Sequence, residues 1–297
     1  MKKAIIRICV LSLCLLPGLL QAQTKELKSR IEEFVRDKKA QIGVAVIIDG
    51  EETVTVNDTC RYPLMSVFKF HQALAVADYL QRNRLPLDAP ILITKEELKT
   101  DTYSPLRDKY PEGNISLSIK ELLIYTLQQS DNNACDILFA HTVGVEETDR
   151  YIRSLGIRNF SIVANEDDMH SKPDMAYENW SYPSETARLF EMLLTQELFG
   201  KPYQDFIKQT LIACETGKDR LVKPLLNTKA LVGHKTGTSD RNAQGLLVGT
   251  NDAGFVLLPD GRHYTIVVLV KDSAEGLPDT SKMIAEISEI VYHDLCD

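Results

Sequence analysis

The chain has 297 residues, 44% hydrophobic and 26% charged, the composition of a soluble globular protein with room for a large core. Its formal net charge of −8 argues against a nucleic-acid partner. Any anionic ligand must be held by a local basic cluster against that field.

The first 22 residues stand apart. Lys2, Lys3 and Arg7 precede a mostly apolar run from Ile8 to Leu16, Pro17-Gly18 breaks it, and Leu20-Gln21-Ala22 resembles a cleavage site. This pattern predicts a signal peptide over 1–22, too short to span a bilayer, and export to the periplasm. Cleavage removes three bases and no acid, taking the net charge from −8 to −11. Cys9 and Cys14 lie inside the apolar run, so no lipoprotein or other membrane anchor is expected. Cys60, Cys135, Cys214 and Cys296 remain after cleavage. Export permits disulfides, but a chain this long is expected to keep them mostly as buried free thiols. The histidines are scattered and no C-x-x-C, H-x-H or H-E-x-x-H occurs, so no metal site is expected.

Leu27, Ile31, Phe34 and Val35 predict an amphipathic helix over Lys25 to Lys39. Ile42 to Ile48 reads as a strand ending at a hairpin signal, Asp49-Gly50, and Thr53 to Asn57 as its return. Helical spacing then dominates, over Ser66 to Arg84, Asn133 to His141, Val145 to Leu155, Pro183 to Gln196 and Tyr203 to Ala213. Ser118 and Glu121 form a capping box that opens a further helix through Gln129. From 157 to 182 no period is sustained. That polar stretch of about 25 residues is too long for a simple connection and reads as functional. Strands resume over Leu231 to Lys235, Gln244 to Thr250, Gly254 to Leu258 and Tyr264 to Lys271, with Pro259-Asp260-Gly261 turning between the last two. Ser281 to Tyr292 closes the chain as a helix.

This order predicts an α+β fold: an antiparallel five-stranded sheet flanked by terminal helices, with an inserted all-helical region. The expected division is a sheet domain over 23–60 and 215–297 and a helical domain over 61–214. A cleft is expected between them.

Three short motifs carry chemistry. In Ser66-Val67-Phe68-Lys69, at the mouth of a helix, the hydroxyl and the amine fall on one face. A lysine made less basic by burial beside other cations could take the serine proton. Alone, such a tetrad is expected about once by chance in a chain of this size. Ser130-Asp131-Asn132 lies between two helices, where Asp131 or Asn132 could simply cap the second. Lys235-Thr236-Gly237, followed by Thr238, lies at a strand end, where a lysine is ordinary. Each motif occurs once, in this order, two at helix starts and one on a strand.

The set S-x-x-K, S-D-N and K-T-G resembles that of the serine β-lactamases of class A and the penicillin-binding proteins, and the resemblance covers essentially all of the mature chain. It implies that Ser66 is an acyl-accepting nucleophile and Lys69 a candidate base. Ser130 would relay a proton to the departing ring nitrogen, with Lys235 beside it. Asn132 would hold the substrate amide. The backbone N–H groups of Ser66 and Thr238 would form the oxyanion hole. Gly237 would let the acyl group approach the strand. Lys235, Thr236, Thr238 and Arg220 would bind the substrate carboxylate, and Tyr103 would line the cleft. The segment 157–182 resembles the family's Ω-loop, which makes Glu166 the carboxylate that activates water. The implied partner is a small β-lactam, bound by a monomeric chain without cofactor or metal.

Two departures resemble a branch of class A with a wider cleft, often active on cephalosporins. His170 stands where the family usually has a water-holding asparagine, and Asp136 where it has an asparagine anchoring the loop. His170 is therefore expected to help position the water. The main rival reading is a DD-peptidase acting on cell-wall peptides, which acylates but does not turn over.

Overall fold

The computed structural model describes residues 23–296, so the expected signal peptide lies outside the described residues. Helix α1 (23–35) leads into β1 (Gln41–Ile48) and β2 (Glu52–Val56). The turn between them follows from its residues. Asp49 and Gly50 both take positive φ, 49° and 74°, and the Glu51 N–H closes on the Ile48 carbonyl at 3.0 Å, a type I′ turn.

The middle of the chain is mostly helical. After β3 (Tyr62–Pro63) a single 3₁₀ turn, Met65–Val67, opens α2 (Phe68–Asn83). A small hairpin of β4 (Pro90–Ile93) and β5 (Ile115–Ser118) brackets α3 (Pro105–Lys109). The hairpin and α3 are too short to show in the periodicity. Then come α4 (Ile119–Gln128), with the expected capping box at Ser118 and Glu121, α5 (Asn132–His141) and α6 (Val145–Ser154). The aperiodic segment holds β6 (Phe160–Ser161), α7 (Glu166–Ser171), a 3₁₀ turn at Pro173–Tyr177 and β7 (Trp180–Ser181). Helices α8 (Pro183–Thr195) and α9 (Lys201–Ile212) complete the block.

Strands β8 (Leu231–Thr238), β9 (Leu247–Leu257) and β10 (His263–Ser273) then return to the sheet, and α10 (Leu277–Cys296) closes it. The five-stranded antiparallel sheet runs β2-β1-β10-β9-β8. Side-chain alternation sorts it into two cores. Ala45, Ile47, Val267 and Leu269 face the helical block. Val44, Val46, Ile266 and Val268 face Leu27 and Ile31 of α1 and Ile284 and Ile287 of α10. The motif-bearing helices therefore share one continuous core with the sheet, which fixes them against its β8 edge.

Two expectations need correction. Sequence reading splits β9 at its polar centre, yet Leu247–Leu257 is unbroken. Asn251 and Asp252 are fully buried there because side-chain partners satisfy them, as described below. The cysteines, expected to be mostly buried, divide differently. All four remain thiols, but Cys60 and Cys296 are exposed, Cys214 is intermediate and Cys135 is buried. Cys60 lies in a loop and Cys296 at a helix end, beyond the reach of either core. Among the described residues no helix is long and apolar enough to cross a membrane.

Candidate active site

Ser66, the expected nucleophile, follows a strained turn. Met65, immediately before Ser66, has φ +47°, a left-handed conformation that a non-glycine residue holds only when its surroundings impose it. The surroundings are specific. Asn251 in β9 donates through Nδ2 to the carbonyls of Pro63 at 2.7 Å and Leu64 at 3.0 Å, and its Oδ1 accepts from the Val270 N–H at 3.0 Å. Two glycines make room. A Cβ at Gly237 would lie 2.6 Å from the Leu64 carbonyl, and one at Gly249 would lie 2.6 Å from the Met65 side chain. The absent side chain of Gly237 thus faces the nucleophile turn and not the substrate space that the sequence suggested.

Around Ser66 the expected polar groups converge. The Ser66 hydroxyl lies 3.2 Å from Glu166 Oε1. Lys69 Nζ, fully buried, lies 2.8 Å from the same carboxylate oxygen. It also donates to the Ser130 carbonyl at 2.7 Å and to Asn132 Oδ1 at 2.6 Å. Three acceptors match the three N–H bonds of an ammonium. Ser130, itself at φ +60°, turns its carbonyl to Lys69 and its hydroxyl to Lys235, whose Nζ is 2.8 Å away. Burial, then the nearby charge of Lys69, brings the Lys235 ammonium down to about 7. Ser130 therefore bridges two lysines.

Strand alternation explains the anchor. Lys235 and Gly237 face the nucleophile, while Thr236 and Thr238 share the other face of β8. Thr236 Oγ1 lies 2.6 Å from Thr216 Oγ1. Arg220 meets this face differently from expectation. Its buried guanidinium donates to the carbonyls of Gly237 at 3.0 Å and Asn251 at 2.9 Å, to Thr238 Oγ1 at 2.7 Å and to Ser281 Oγ at 3.2 Å. Most of its donors are thus committed to bracing β8, although Arg220 itself borders the cleft beside Thr238. Asp131, not Asn132, caps α5, accepting the Ala134 N–H at 2.8 Å. That leaves the Asn132 side chain to Lys69 and to Thr102 Oγ1 at 2.8 Å. Tyr103 is exposed on the rim, and its carbonyl accepts the Asn132 N–H at 3.1 Å.

Glu166 begins α7, and two side chains that are not on α7 hold it there. Asp136 in α5 accepts the N–H of Glu166 through Oδ1 and that of Asp167 through Oδ2, both at 2.9 Å. It supplies the acceptors that a helix start requires. Burial pushes the Asp136 carboxyl up to about 7, with the charge of Glu166 adding to it. Asn179, fully buried, accepts from Val163 at 2.8 Å and Ala164 at 3.0 Å and donates to the Ala164 carbonyl at 2.8 Å. Sequence reading missed Asn179, and its only signal was an asparagine inside a long polar segment. The His170 ring turns to Asp101 Oδ2 across the cleft, at 3.1 Å, instead of to Glu166. His170 thus links the two rims, and with Glu166 it borders the larger chamber described below.

Ser66, Ser130, Glu166, Arg220, Thr236 and Thr238 line one cavity of about 290 Å³. It adjoins a larger chamber of about 750 Å³, between the Glu166–Tyr177 side and the Thr238–Asn242 side. Met65, Asn132, Glu166 and Thr238 border both. Among the described residues no cluster of His, Cys, Asp or Glu is arranged to hold a metal ion.

Known proteins are similar to this chain in sequence and fold. The profile of the β-lactamase enzyme family matches residues 26–295. A β-lactamase of Bacteroides uniformis is 43% identical over 293 residues, covering 98% of this chain and 99% of the relative. The crystal structure of a class A β-lactamase from Bacteroides cellulosilyticus superposes with a TM-score of 0.88 at 43% identity, covering 92% of this chain and 98% of the other. That of the TLA-1 extended-spectrum β-lactamase superposes with a TM-score of 0.89 at 42% identity, covering 92% of this chain and 99% of the other. With a serine, two lysines and a carboxylate gathered in one groove, the chain belongs to the β-lactamase enzyme family, as a serine enzyme of class A.

Proposed function

We propose that this enzyme opens β-lactam rings through an acyl-enzyme on Ser66 and releases the product with water activated by Glu166. The observation that carries this reading is the 3.2 Å contact between Ser66 Oγ and Glu166 Oε1. A carboxylate that close to the acylated oxygen can take a proton from water attacking the ester carbonyl. In the resting arrangement the three Lys69 N–H bonds already have acceptors, so the Ser66 proton passes to the Glu166 carboxylate that its hydroxyl faces, which Lys69 holds in place. The backbone N–H groups of Ser66 and Thr238 receive the oxyanion. Losing one such donor typically costs about 2.7–4 kcal/mol of barrier. Ser130, hydrogen-bonded to Lys235, delivers a proton to the departing nitrogen. Lys235, Thr236 and Thr238 bind the substrate carboxylate, with Arg220 orienting Thr238.

The chamber of about 750 Å³ beside the nucleophile gives space for the bulky acylamino groups of cephalosporins, which supports a preference for them. The extended-spectrum character of the TLA-1 relative points the same way. The enzyme acts as a monomer after export to the periplasm, guided by the basic and apolar pattern of 1–22, and confers resistance to these drugs.

The test is turnover of a chromogenic cephalosporin, followed by intact mass of Glu166→Ala. The parent enzyme should turn over many times. The variant should accumulate acyl-enzyme, its deacylation slowed about 10²–10⁴-fold. A single burst from the unmutated protein would establish the peptidase reading instead. Undiminished turnover by the variant would remove Glu166 from the mechanism.

A further inference from the structure

The irregular segment meets the opposite wall of the larger chamber at one side chain. Tyr177, half-buried at the end of the 3₁₀ turn, donates its hydroxyl to Asp272 Oδ1 in β10 at 2.6 Å and accepts from Asn242 Nδ2 at 3.1 Å. A phenol hydroxyl carries one proton and also accepts, so both of its capacities are used here. Burial, then the hydrogen bond to Asp272, raises the Tyr177 phenol, which keeps the proton on its oxygen. Among the described residues these are the only hydrogen bonds that run from 166–177 to 238–243 or to β10.

Both partners are themselves held. Asn242 lies in the connection from β8 to β9, and its Oδ1 accepts the N–H groups of Gln244 at 3.1 Å and Leu246 at 3.0 Å. An asparagine that closes its own turn in this way has its amide orientation set, which aims Nδ2 at Tyr177. Arg241 ties the same connection to the Glu275 carbonyl at 2.9 Å. Asp272 has φ +51°, a conformation a non-glycine residue keeps only where its surroundings impose it. The Lys271 ammonium stands 3.9 Å from Asp272 Oδ2 and 5.7 Å from the centre of the Tyr177 ring. The clasp also has a definite place relative to the chemistry. Met65, Asn132, Glu166 and Thr238 border both cavities, whereas Tyr177 and Asn242 border the larger chamber and not the catalytic one.

We propose that Tyr177 is a specificity-determining residue, which through Asp272 and Asn242 fixes the chamber wall against which the larger acylamino groups of β-lactams pack. This rests on the reading of the chamber as the seat of that group. A wall already held in its bound position spares the ordering cost when substrate arrives. Once the hydroxyl is gone, that cost returns to the binding of substrates long enough to reach the wall. Substrates too short to reach it are indifferent.

The experiment measures kcat and KM of the parent enzyme and its variants on two cephalosporins with the same nucleus and leaving group. One carries an acetamido group on the lactam ring and the other a branched aminothiazole-oxyimino group. Tyr177→Phe deletes only the hydroxyl. Asp272→Gly removes the carboxylate and can keep the left-handed backbone without strain. Each should raise KM for the bulky substrate about three- to tenfold, with a smaller change in kcat, and leave KM for the small one within about twofold. The double variant should match either single one, because both remove the same bond. Asp272→Asn retains an acceptor and tolerates positive φ, so it should behave as the parent does. An unchanged ratio of the two KM values in Tyr177→Phe would overturn the assignment. An equal loss of kcat on both substrates with KM unmoved would also overturn it, and would make the hydroxyl a support for Glu166 alone. Additive effects in the double variant would overturn the direct bond. No turnover of either substrate by the parent would overturn the hydrolytic reading, and this inference with it.

Discussion

The two walls of the catalytic groove are built on different principles. The β8 wall is backed by a five-stranded sheet with apolar cores on both faces, and its functional side chains alternate along one strand. The Glu166 wall is a short helix in an irregular segment, held by polar contacts from Asp136 and Asn179. The sheet wall gains its rigidity from burial, which is non-directional and spread over many residues. The loop wall gains its position from a few directional bonds, each of which is costly to lose. Damage to the first should therefore appear in binding and acylation, and damage to the second in deacylation.

That division can be broken from either side. On kcat/KM the largest effect belongs to Lys235→Ala, which removes the cation from the anchor and the partner from Ser130. Charge-assisted hydrogen bonds are worth about 1.5–3 kcal/mol, so kcat/KM for an anionic cephalosporin should fall roughly 10–150-fold. Single-turnover deacylation should change less than about threefold. A parallel collapse of deacylation would mean the two walls are not separable.

Asn179→Ala comes next. It strands the buried N–H of Ala164 and the more exposed one of Val163, at about 1–3 kcal/mol, measurable as a lower Tm. Deacylation should slow about tenfold or more as Glu166 drifts, while acylation holds. A subtler probe is pH. Asp136 is pushed up to about 7, so as pH falls through 7 one of its oxygens takes a proton and ceases to accept from α7. A raised carboxyl pKa means that the ionised form costs the fold stability above the unfolded value. Acid therefore relieves that cost while loosening the loop. The expected result is a deacylation rate that declines several-fold between pH 8 and 6 with no matching fall in Tm. A flat rate would remove Asp136 as the loop's acid-sensitive anchor. The smallest effect is assigned to His170→Ala. Its partner is the exposed Asp101, and surface pairs of this kind contribute at most about 1 kcal/mol, so deacylation should change less than about fivefold.

The same contrast governs what the sequence makes legible. The β-branched run of Ile42 to Ile48 and the capping box at Ser118 are local patterns, and each becomes the element it predicts. The three motifs are individually weak and informative only together. What stays illegible is polar contact across long separations. Asn251 looks like a strand break because its partners, Pro63 and Leu64, lie far away in the chain. Asn179 is indistinguishable from any loop asparagine until the segment folds back on it. The positive φ of Met65 leaves no compositional trace, since its glycines sit on other strands, at 237 and 249.

Those two glycines restrict how this enzyme can adapt to new drugs. A methyl group at 237 would meet the Leu64 backbone, so enlarging that residue shifts the attacking serine along with the pocket wall. The chamber rim from Ser239 to Asn242 borders the Tyr177 side of the segment instead, with Asn242 bonded to the Tyr177 hydroxyl. Selection for bulkier antibiotics can remodel that rim without moving Ser66, whereas at position 237 any gain in width is coupled to a displaced serine.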